Sequence, residues 1–432
     1  MPATKVAIVG LGTVGTGVAR ILGDHACSIE RHAGVEMRLV SAMVRDVNRP
    51  RDYVPADGVL TDDLSTILSD PEIKVVAQLI GGLEPARTIM LQLLEAGKDV
   101  VTANKALLAE HGPELFDRAR KLERSIAFEA SVAGGIPIVT NISQCLSANQ
   151  ITSLSGILNG TSNFIVTQME EHGVDYATAV QDAQRRGYAE ADPAMDVDGT
   201  DAAQKLAILA HLAFGARVGW RDIPTTGIDT IHSADQRSAQ EMGYRIKLLA
   251  VASLEEEGLE LHVSPTLVKL GTPLAEVRGA YNAVSVVGNA LGRVFFHGLG
   301  AGQMPTASAV VADMIDMVAG RSAITFQRLD LWSNRKSSVV LKDHAKVMSR
   351  YYLRFLVDDH PGVLAEITGI LGHHQISIAS VLQHELGNVE GNDVPLMIMT
   401  HLNNEGAVQA AVEEIERLTS VRMDSVTMRV LD

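Results

Sequence analysis

Five residues into the chain, the apolar run Lys5-Val6-Ala7-Ile8-Val9 meets Gly10-Leu11-Gly12-Thr13-Val14-Gly15, and a helical pattern follows over residues 14–22. Strand, glycine turn and helix in that order admit few folds. The first glycine permits a tight turn, the second lets the backbone approach a pyrophosphate, and the third lets helix and strand pack closely. The N–H groups at the start of the helix are then left to meet phosphates. The same spacing also occurs in plain structural turns, and it gains weight here from its place between strand and helix. Further short apolar strands at 36–44, 74–80 and 99–102 alternate with helical patterns at 84–96 and 106–124. This alternation predicts a Rossmann-like, doubly wound α/β dinucleotide-binding domain over residues 1–135.

Beyond residue 135 the pattern changes. A strand at 151–158, helices at 163–172, 177–186 and 200–214, and β-rich runs at 259–263 and 282–287 predict an α+β domain for substrate and dimerisation over 136–300. A second glycine-rich loop opens residues 298–320, and its helix is expected to return to the first domain, so that about 300–325 belong with 1–135. Residues 326–350 are polar and basic and read as a linker. The tail, 351–432, reads strand 351–357, helix 361–373, strands 376–384 and 394–402, helix 404–418 and strand 421–430, the ferredoxin-like βαββαβ order.

Length and charge narrow the function. At 432 residues the chain has room for about three domains. Its net charge of −15 disfavours nucleic acid and anionic membranes as partners. Two cysteines, Cys27 and Cys145, form no disulfide framework and no zinc pattern. The chain enters a strand almost at once and holds no apolar run of transmembrane length, so a cytoplasmic location is expected.

Three places carry chemistry. The second strand ends Met43-Val44-Arg45-Asp46, where Arg45 could hold a 2′-phosphate and Asp46 could bond a free ribose hydroxyl. The balance favours NADP(H), with NAD(H) also accommodated. Thr102-Ala103-Asn104-Lys105 places Lys105 at the carboxyl edge of the sheet, where such folds bind ligands; the bland reading is a solvated surface lysine. The densest acidic stretch is GYAEADPAMDVDGTDAAQK (187–205), with Glu190, Asp192, Asp196, Asp198 and Asp201 ahead of or within the first turn of a helix. Asp201 and Lys205 are four apart and share a face. Acids also cap helix starts as a matter of course, but the rest of this helix is apolar, and a lysine held there would be partly desolvated and able to deliver a proton.

Together these segments resemble homoserine dehydrogenase over residues 5–320. The marks are GLGTVG (10–15), TANKALLA (102–109), FEASVAGGIPI (128–138), GILNGTSNF (156–164), RRGYAEADPAMDVDGTDAAQKLAILA (185–210) and GLGAGQMPTASAV (298–310). The tail resembles an ACT domain, a regulatory module that binds amino acids, through DDHPGVLAEI (358–367) and ISIASVLQ (376–383). The resemblance implies an oxidoreductase that reduces L-aspartate 4-semialdehyde to L-homoserine with NADPH or NADH, in threonine, methionine and isoleucine biosynthesis. It assigns Lys205 as general acid, Lys105 to substrate and nicotinamide, and Glu190 and Asp201 to the polar groups of the amino acid, with Asp196 in support. It implies cofactor contacts from Thr13, Val14, Lys105, Gly187 and Gly302, beside Gly10, Gly12 and Gly15 of the glycine loop, Arg45 at the end of the second strand and Thr102 ahead of Lys105. It also implies a sodium ion held by the Glu129 carboxylate and the carbonyls of Val132, Gly134 and Ile136, an oxygen-only set suited to a hard cation.

Two rivals stand beside this reading. Aspartate-semialdehyde dehydrogenase shares the substrate but needs a cysteine nucleophile, and Cys145, without a histidine close in sequence, reads better as a buried structural residue. A non-catalytic amino-acid sensor would make the tail the working part, against which the intact acid and lysine block speaks. The turn at 358–362 is the expected receiver of an effector, L-threonine, and a homodimer or homotetramer is expected from the pairing habit of ACT domains.

Overall fold

Buried β-branched runs set the first architecture. The strands β1 (Thr4–Val9), β2 (Met37–Met43), β3 (Leu60–Thr61), β4 (Ile73–Gln78), β5 (Asp99–Thr102) and β6 (Ile126–Ala127) pair in parallel in the order β3-β2-β1-β4-β5-β6. This is the strand order of a dinucleotide-binding sheet, reversing direction of travel between β1 and β4. The computed structural model describes residues 3–53, 55–56, 58–328, 339–383 and 393–432. They form two units: 1–151, 204–222 and 287–339 in the first, and 152–203, 223–286 and 340–432 in the second. In the first unit the Gln303–Val318 helix lies on the Thr13–Asp24 helix and shares its core, with Val310 and Met314 fully buried beside Val6, Ile8 and Val18. The approach is close: a Cβ on Gly17 would stand 2.9 Å from the Cβ of Ala307.

The second unit is built on long antiparallel strands. β7 (Ile151–Ile157) pairs with β8 (Tyr244–Glu255), and β8 with β9 (Gly258–Lys269); β10 (Tyr281–Gly288) neighbours β7. The tail has the βαββαβ order read from its sequence: strand Met348–Asp358, helix Val363–His373, strands Ile378–Gln383 and Asp393–Thr400, helix Glu405–Ile415 and strand Val421–Leu431. Its four main strands pair antiparallel, with the Met348–Asp358 strand between Val421–Leu431 and Asp393–Thr400. Residue 384, placed at the end of a strand by sequence, lies outside the described residues.

The tail is not a tethered module. Its last strand pairs in parallel with β9, matching Arg429 to Thr266, Val430 to Leu267 and Leu431 to Val268, so one sheet runs through both parts. The second half of the expected linker is also fastened. The Leu259 N–H donates to the Val340 carbonyl at 2.8 Å, Lys342 N–H returns to Leu259 at 2.9 Å, and the Lys342 ammonium, 5% exposed, meets Glu255 at 2.6 Å. Its first residues close the Arg321–Arg328 helix, and residues 329–338 lie outside the described set. Polar composition misled here because main-chain polar groups of the segment are spent on strand-edge hydrogen bonds to Leu259.

Cys145 corrects another expectation: it is exposed, not buried. It ends a π-helical turn, Asn141–Cys145, in which Leu146 N–H reaches back five residues to the Asn141 carbonyl at 2.8 Å. The wider turn puts Ile142 and Leu146 on the buried face and rotates Cys145 off it. Among the described residues no helix is long and apolar enough to cross a membrane.

Candidate active site

The glycine loop has the geometry its spacing implies. Gly10 adopts φ +99°, a conformation L side chains rarely take, and its N–H donates to the Met43 carbonyl at 2.9 Å, closing the loop over the end of β2. Gly15 lies so near that a Cβ there would stand 2.1 Å from the Gly10 carbonyl oxygen. Around Gly12, by contrast, nothing stands within 4 Å of a Cβ position. Gly12 caps the Thr13–Asp24 helix, and the first-turn N–H groups of Thr13, Val14 and Gly15 have no intrahelical acceptor. The residues therefore fit a pyrophosphate: open space in front of free donors at a positive helix end. Replacing Gly15 by valine would set the branched carbon against main-chain atoms that cannot move independently of the turn. We expect that variant to raise the NADPH dissociation constant at least about tenfold, read by nucleotide fluorescence, with little change in circular dichroism.

At the end of β2, Arg45 is exposed on the loop that follows. The Asp46 carboxylate accepts the Asn48 N–H at 2.9 Å, and the Asp46 carbonyl accepts from the Arg51 guanidinium at 2.6 Å. Asp46 is thus partly engaged in shaping its own turn. Thr102, fully buried, donates its hydroxyl to Gln78 Oε1 and accepts the Asn104 N–H, each at 3.1 Å, so its side chain braces the strand end. Lys105 is the first residue of the Lys105–Lys121 helix and half-buried. A cation at a helix N-terminus opposes the macrodipole, the reverse of a stabilising placement. Asn104, not singled out from sequence, fixes it there: its amide donates to the Ile80 and Gly82 carbonyls at 3.1 and 2.7 Å and its oxygen caps Leu107 N–H at 3.1 Å. Gly302, φ +117°, caps the Gln303–Val318 helix in the same unit.

The acid block sorts into two kinds of carboxylate. Asp192 and Asp198 are local turn formers, accepting the N–H of Ala194 at 3.1 Å and of Thr200 at 2.7 Å. Asp196, in the short Ala194–Val197 helix, and Asp201, 4% exposed, are instead drawn together by the amide of Asn159, at 2.8 and 2.9 Å. Asn159 was not read from sequence; its signal is an N-cap asparagine directly after a strand. Glu190 is exposed, and its main-chain carbonyl accepts from Gln184 at 3.2 Å. Gly187, φ +75°, is exposed just after the Tyr176–Arg185 helix. Tyr188 packs tilted against Phe164, ring centroids 4.8 Å apart, and its carbonyl accepts the Thr161 hydroxyl at 2.7 Å, which fastens the segment to the Gly160–His172 helix.

Lys205 lies one turn beyond Asp201 on the Thr200–Phe214 helix, and residues 201–211 of that helix are buried without a break. A helix buried all round must place its few polar groups in company. Lys205 itself is only 9% exposed.

Glu129, also buried, accepts the Val139 and Thr140 N–H groups at 2.8 Å each, and its own N–H donates to Asp313 Oδ2 at 2.9 Å. Burial pushes both carboxyls up, Asp313 well above the usual range with Glu129 beside it. The turn carrying Val132, Gly134 and Ile136 follows directly, with Ala133 and Gly134 at φ 54° and 37°.

Comparison with known proteins agrees with this geometry. The family models described as the homoserine dehydrogenase NAD-binding domain, homoserine dehydrogenase and the ACT domain match residues 10–129, 137–315 and 351–419. The chain is 42% identical to the homoserine dehydrogenases of Synechocystis sp. and Pseudomonas aeruginosa, covering 99% of it and 99% of the first, and 100% of it and 99% of the second. A homoserine dehydrogenase crystal structure from Thiobacillus denitrificans superposes with a TM-score of 0.92 at 42% identity, over 100% of this chain and 99% of that one. A hyperthermophilic archaeal homoserine dehydrogenase in complex with NADPH matches 73% of this chain and 97% of its own, with a TM-score of 0.60 at 26% identity. The nucleotide-binding sheet, the acid and lysine helix and the βαββαβ tail are therefore those of an oxidoreductase acting on a CH–OH group, and the chain belongs to the homoserine dehydrogenases that carry a C-terminal ACT domain.

Proposed function

We propose that the protein interconverts L-aspartate 4-semialdehyde and L-homoserine on the route to threonine, methionine and isoleucine, with NADPH the preferred reductant and NADH also accepted. The observation that carries this reading is the buried Thr200–Phe214 helix, with Asp201 and Lys205 one turn apart and Asp201 tied to Asp196 through Asn159. When bound, the nicotinamide supplies the hydride. The chain then has to hold the substrate and deliver one proton. Lys205 is the general acid that protonates the developing alkoxide, held in place by its buried helix. Glu190 and Asp201, with Asp196 in support, hold the α-ammonium side of the amino acid, and Lys105 holds its anionic side and approaches the nicotinamide. Gly10, Gly12, Thr13, Val14 and Gly15, with Gly187 and Gly302, line the dinucleotide, and Thr102 and Lys105 bound it at the end of β5. Preference for NADPH rests on Arg45 and on the engagement of Asp46 in its own turn.

The Glu129 turn fits a monovalent hard cation, sodium, through that carboxylate and the carbonyls of Val132, Gly134 and Ile136. Supporting this, the donors are all oxygen, and two buried carboxyls adjoin with no lysine or arginine paired to Glu129 among the described residues. In the tail, the turn at 358–362 is the receiver of L-threonine as feedback inhibitor. There Gly362, φ +107°, caps the Val363–His373 helix and Asp358 pairs with Arg422. The active form is a homodimer or homotetramer in the cytoplasm.

One assay tests these assignments together: reduction of aspartate semialdehyde with NADPH or NADH, in sodium or choline salt, with and without threonine. Turnover that is faster with NADPH, needs sodium and falls with threonine supports each in turn. No turnover with either reductant would overturn the reaction assignment.

A further inference from the structure

We propose that Asn159 is the positioning residue of this site: one neutral amide that holds Asp196 and Asp201 at fixed separation by donating a hydrogen bond to each. The inference rests on the proposed roles of those two acids in substrate binding. Asn159 follows β7 and is 5% exposed. Its Nδ2 donates to Asp196 Oδ1 at 2.8 Å and to Asp201 Oδ2 at 2.9 Å, while its Oδ1 accepts the Ser162 N–H at 2.7 Å. A side-chain amide has two donor hydrogens and one carbonyl oxygen. Here each is used, and the orientation is determined, because a flipped amide would turn its oxygen on two carboxylates and its hydrogens on an N–H.

The arrangement ties the start of the Gly160–His172 helix to two successive helices 37 and 42 positions further along at their contact residues, Ala194–Val197 and Thr200–Phe214. Ser162 adds a second tie, its hydroxyl donating to the Asp196 carbonyl at 2.5 Å. Two acceptors on one NH2 group stand about 5 Å apart, given near-linear bonds at about 120°. At that range each carboxylate disfavours the charge of the other. A hydrogen bond donated to a carboxylate favours its charged form, and the Asn159 amide gives one to each. An asparagine does so without titrating and without adding charge. Because Asp201 is one turn ahead of Lys205 on a single buried helix, fixing Asp201 also fixes the electrostatic surroundings of the proton donor.

The competing explanation is that Asn159 is only a helix cap. The variant Asn159→Asp separates the two. Aspartate caps as well as asparagine, so it keeps the bond to Ser162 N–H and nearly the same volume, but it turns an oxygen on Asp196 and Asp201. Positioning predicts that Asn159→Asp raises KM for homoserine about tenfold or more, the size expected for losing hydrogen bonds to charged groups. It also predicts that the acid limb of kcat/KM moves up by about one pH unit, with KM for the nucleotide unchanged. Asn159→Ala should show the same kinetic shifts and lose the cap as well, read as a lower Tm. Wild-type kinetics in Asn159→Asp, with only Asn159→Ala impaired, would overturn the proposal. The aspartate carboxyl carbons, followed by NMR on labelled enzyme without substrate, give a second readout. Two carboxyls should titrate higher in Asn159→Asp than in wild type, and an unchanged titration would also overturn it. Inactivity of the wild type toward homoserine would instead overturn the assigned reaction, and the carboxyl titration would still decide the role of Asn159.

Discussion

Replacing Lys205 by methionine is expected to lower kcat for semialdehyde reduction by about two to four orders of magnitude, the span that one positioned general acid contributes. Methionine keeps the length and the apolar stem, so the buried helix retains its packing. The cost falls on the proton: the hydride can still be offered, but the alkoxide must take its proton from water that a buried helix keeps out. Nucleotide binding, measured by fluorescence, should stay within about threefold of wild type because the glycine loop is untouched. A loss confined to KM would make Lys205 a binding group rather than the acid. A kcat within about tenfold of wild type would remove it from the chemistry.

How far this site could be read from sequence depends on what each residue does. The glycine loop and the 185–210 block stood out in sequence because each has a local spacing: a Cβ on Gly15 would stand 2.1 Å from the Gly10 carbonyl oxygen, and Asp201 and Lys205 lie four apart on one helix. Asn159 was not legible, because what singles it out is contact with residues 37 and 42 positions away. Asn104 escaped for the same reason, bonding the carbonyls of Ile80 and Gly82 on another strand end. The two-residue strands β3 and β6 carry no period to detect. Cys145 was misread because its burial depends on a π turn, which the spacing of neighbouring apolar residues does not announce. The βαββαβ tail was legible as a motif, but alternation gives a strand's faces and not its partner, so the pairing of the last strand with β9 was hidden.

That hidden pairing carries the second large prediction, on stability. Where the tail meets the rest of its unit, ionic groups are buried. Arg354 Nε donates to Asp235 Oδ1 at 2.9 Å, the Tyr352 hydroxyl donates to the same oxygen at 2.7 Å, and His232 N–H donates to Oδ2 at 2.8 Å. Arg354 and Asp235 are 2% and 0% exposed. Breaking such a pair from one side strands a buried charge, so Arg354→Met should cost about 3–5 kcal/mol by denaturant unfolding, whereas Arg354→Met with Asp235→Asn should recover a good part of it. A loss below about 1 kcal/mol in the single variant would mean that water reaches the pair and the seam is loose. Nearby, Arg429 pairs with Glu405 at 2.9 Å and contacts His344 at 2.8 Å, while His262 adjoins Glu260 at 3.1 Å. Burial, with the Arg429 charge adding to it, holds His262 down to about 4 from 6.5. Between those values the unfolded chain binds more protons than the folded one, so stability falls as pH drops through that window, by up to about 3 kcal/mol for this group. His211, also held to about 4 by burial, contributes in the same direction. His262→Gln should therefore flatten part of the acid slope of the unfolding free energy between pH 6.5 and 4, and His211→Gln in addition should flatten more. An unchanged slope in the double variant would locate the acid sensitivity elsewhere.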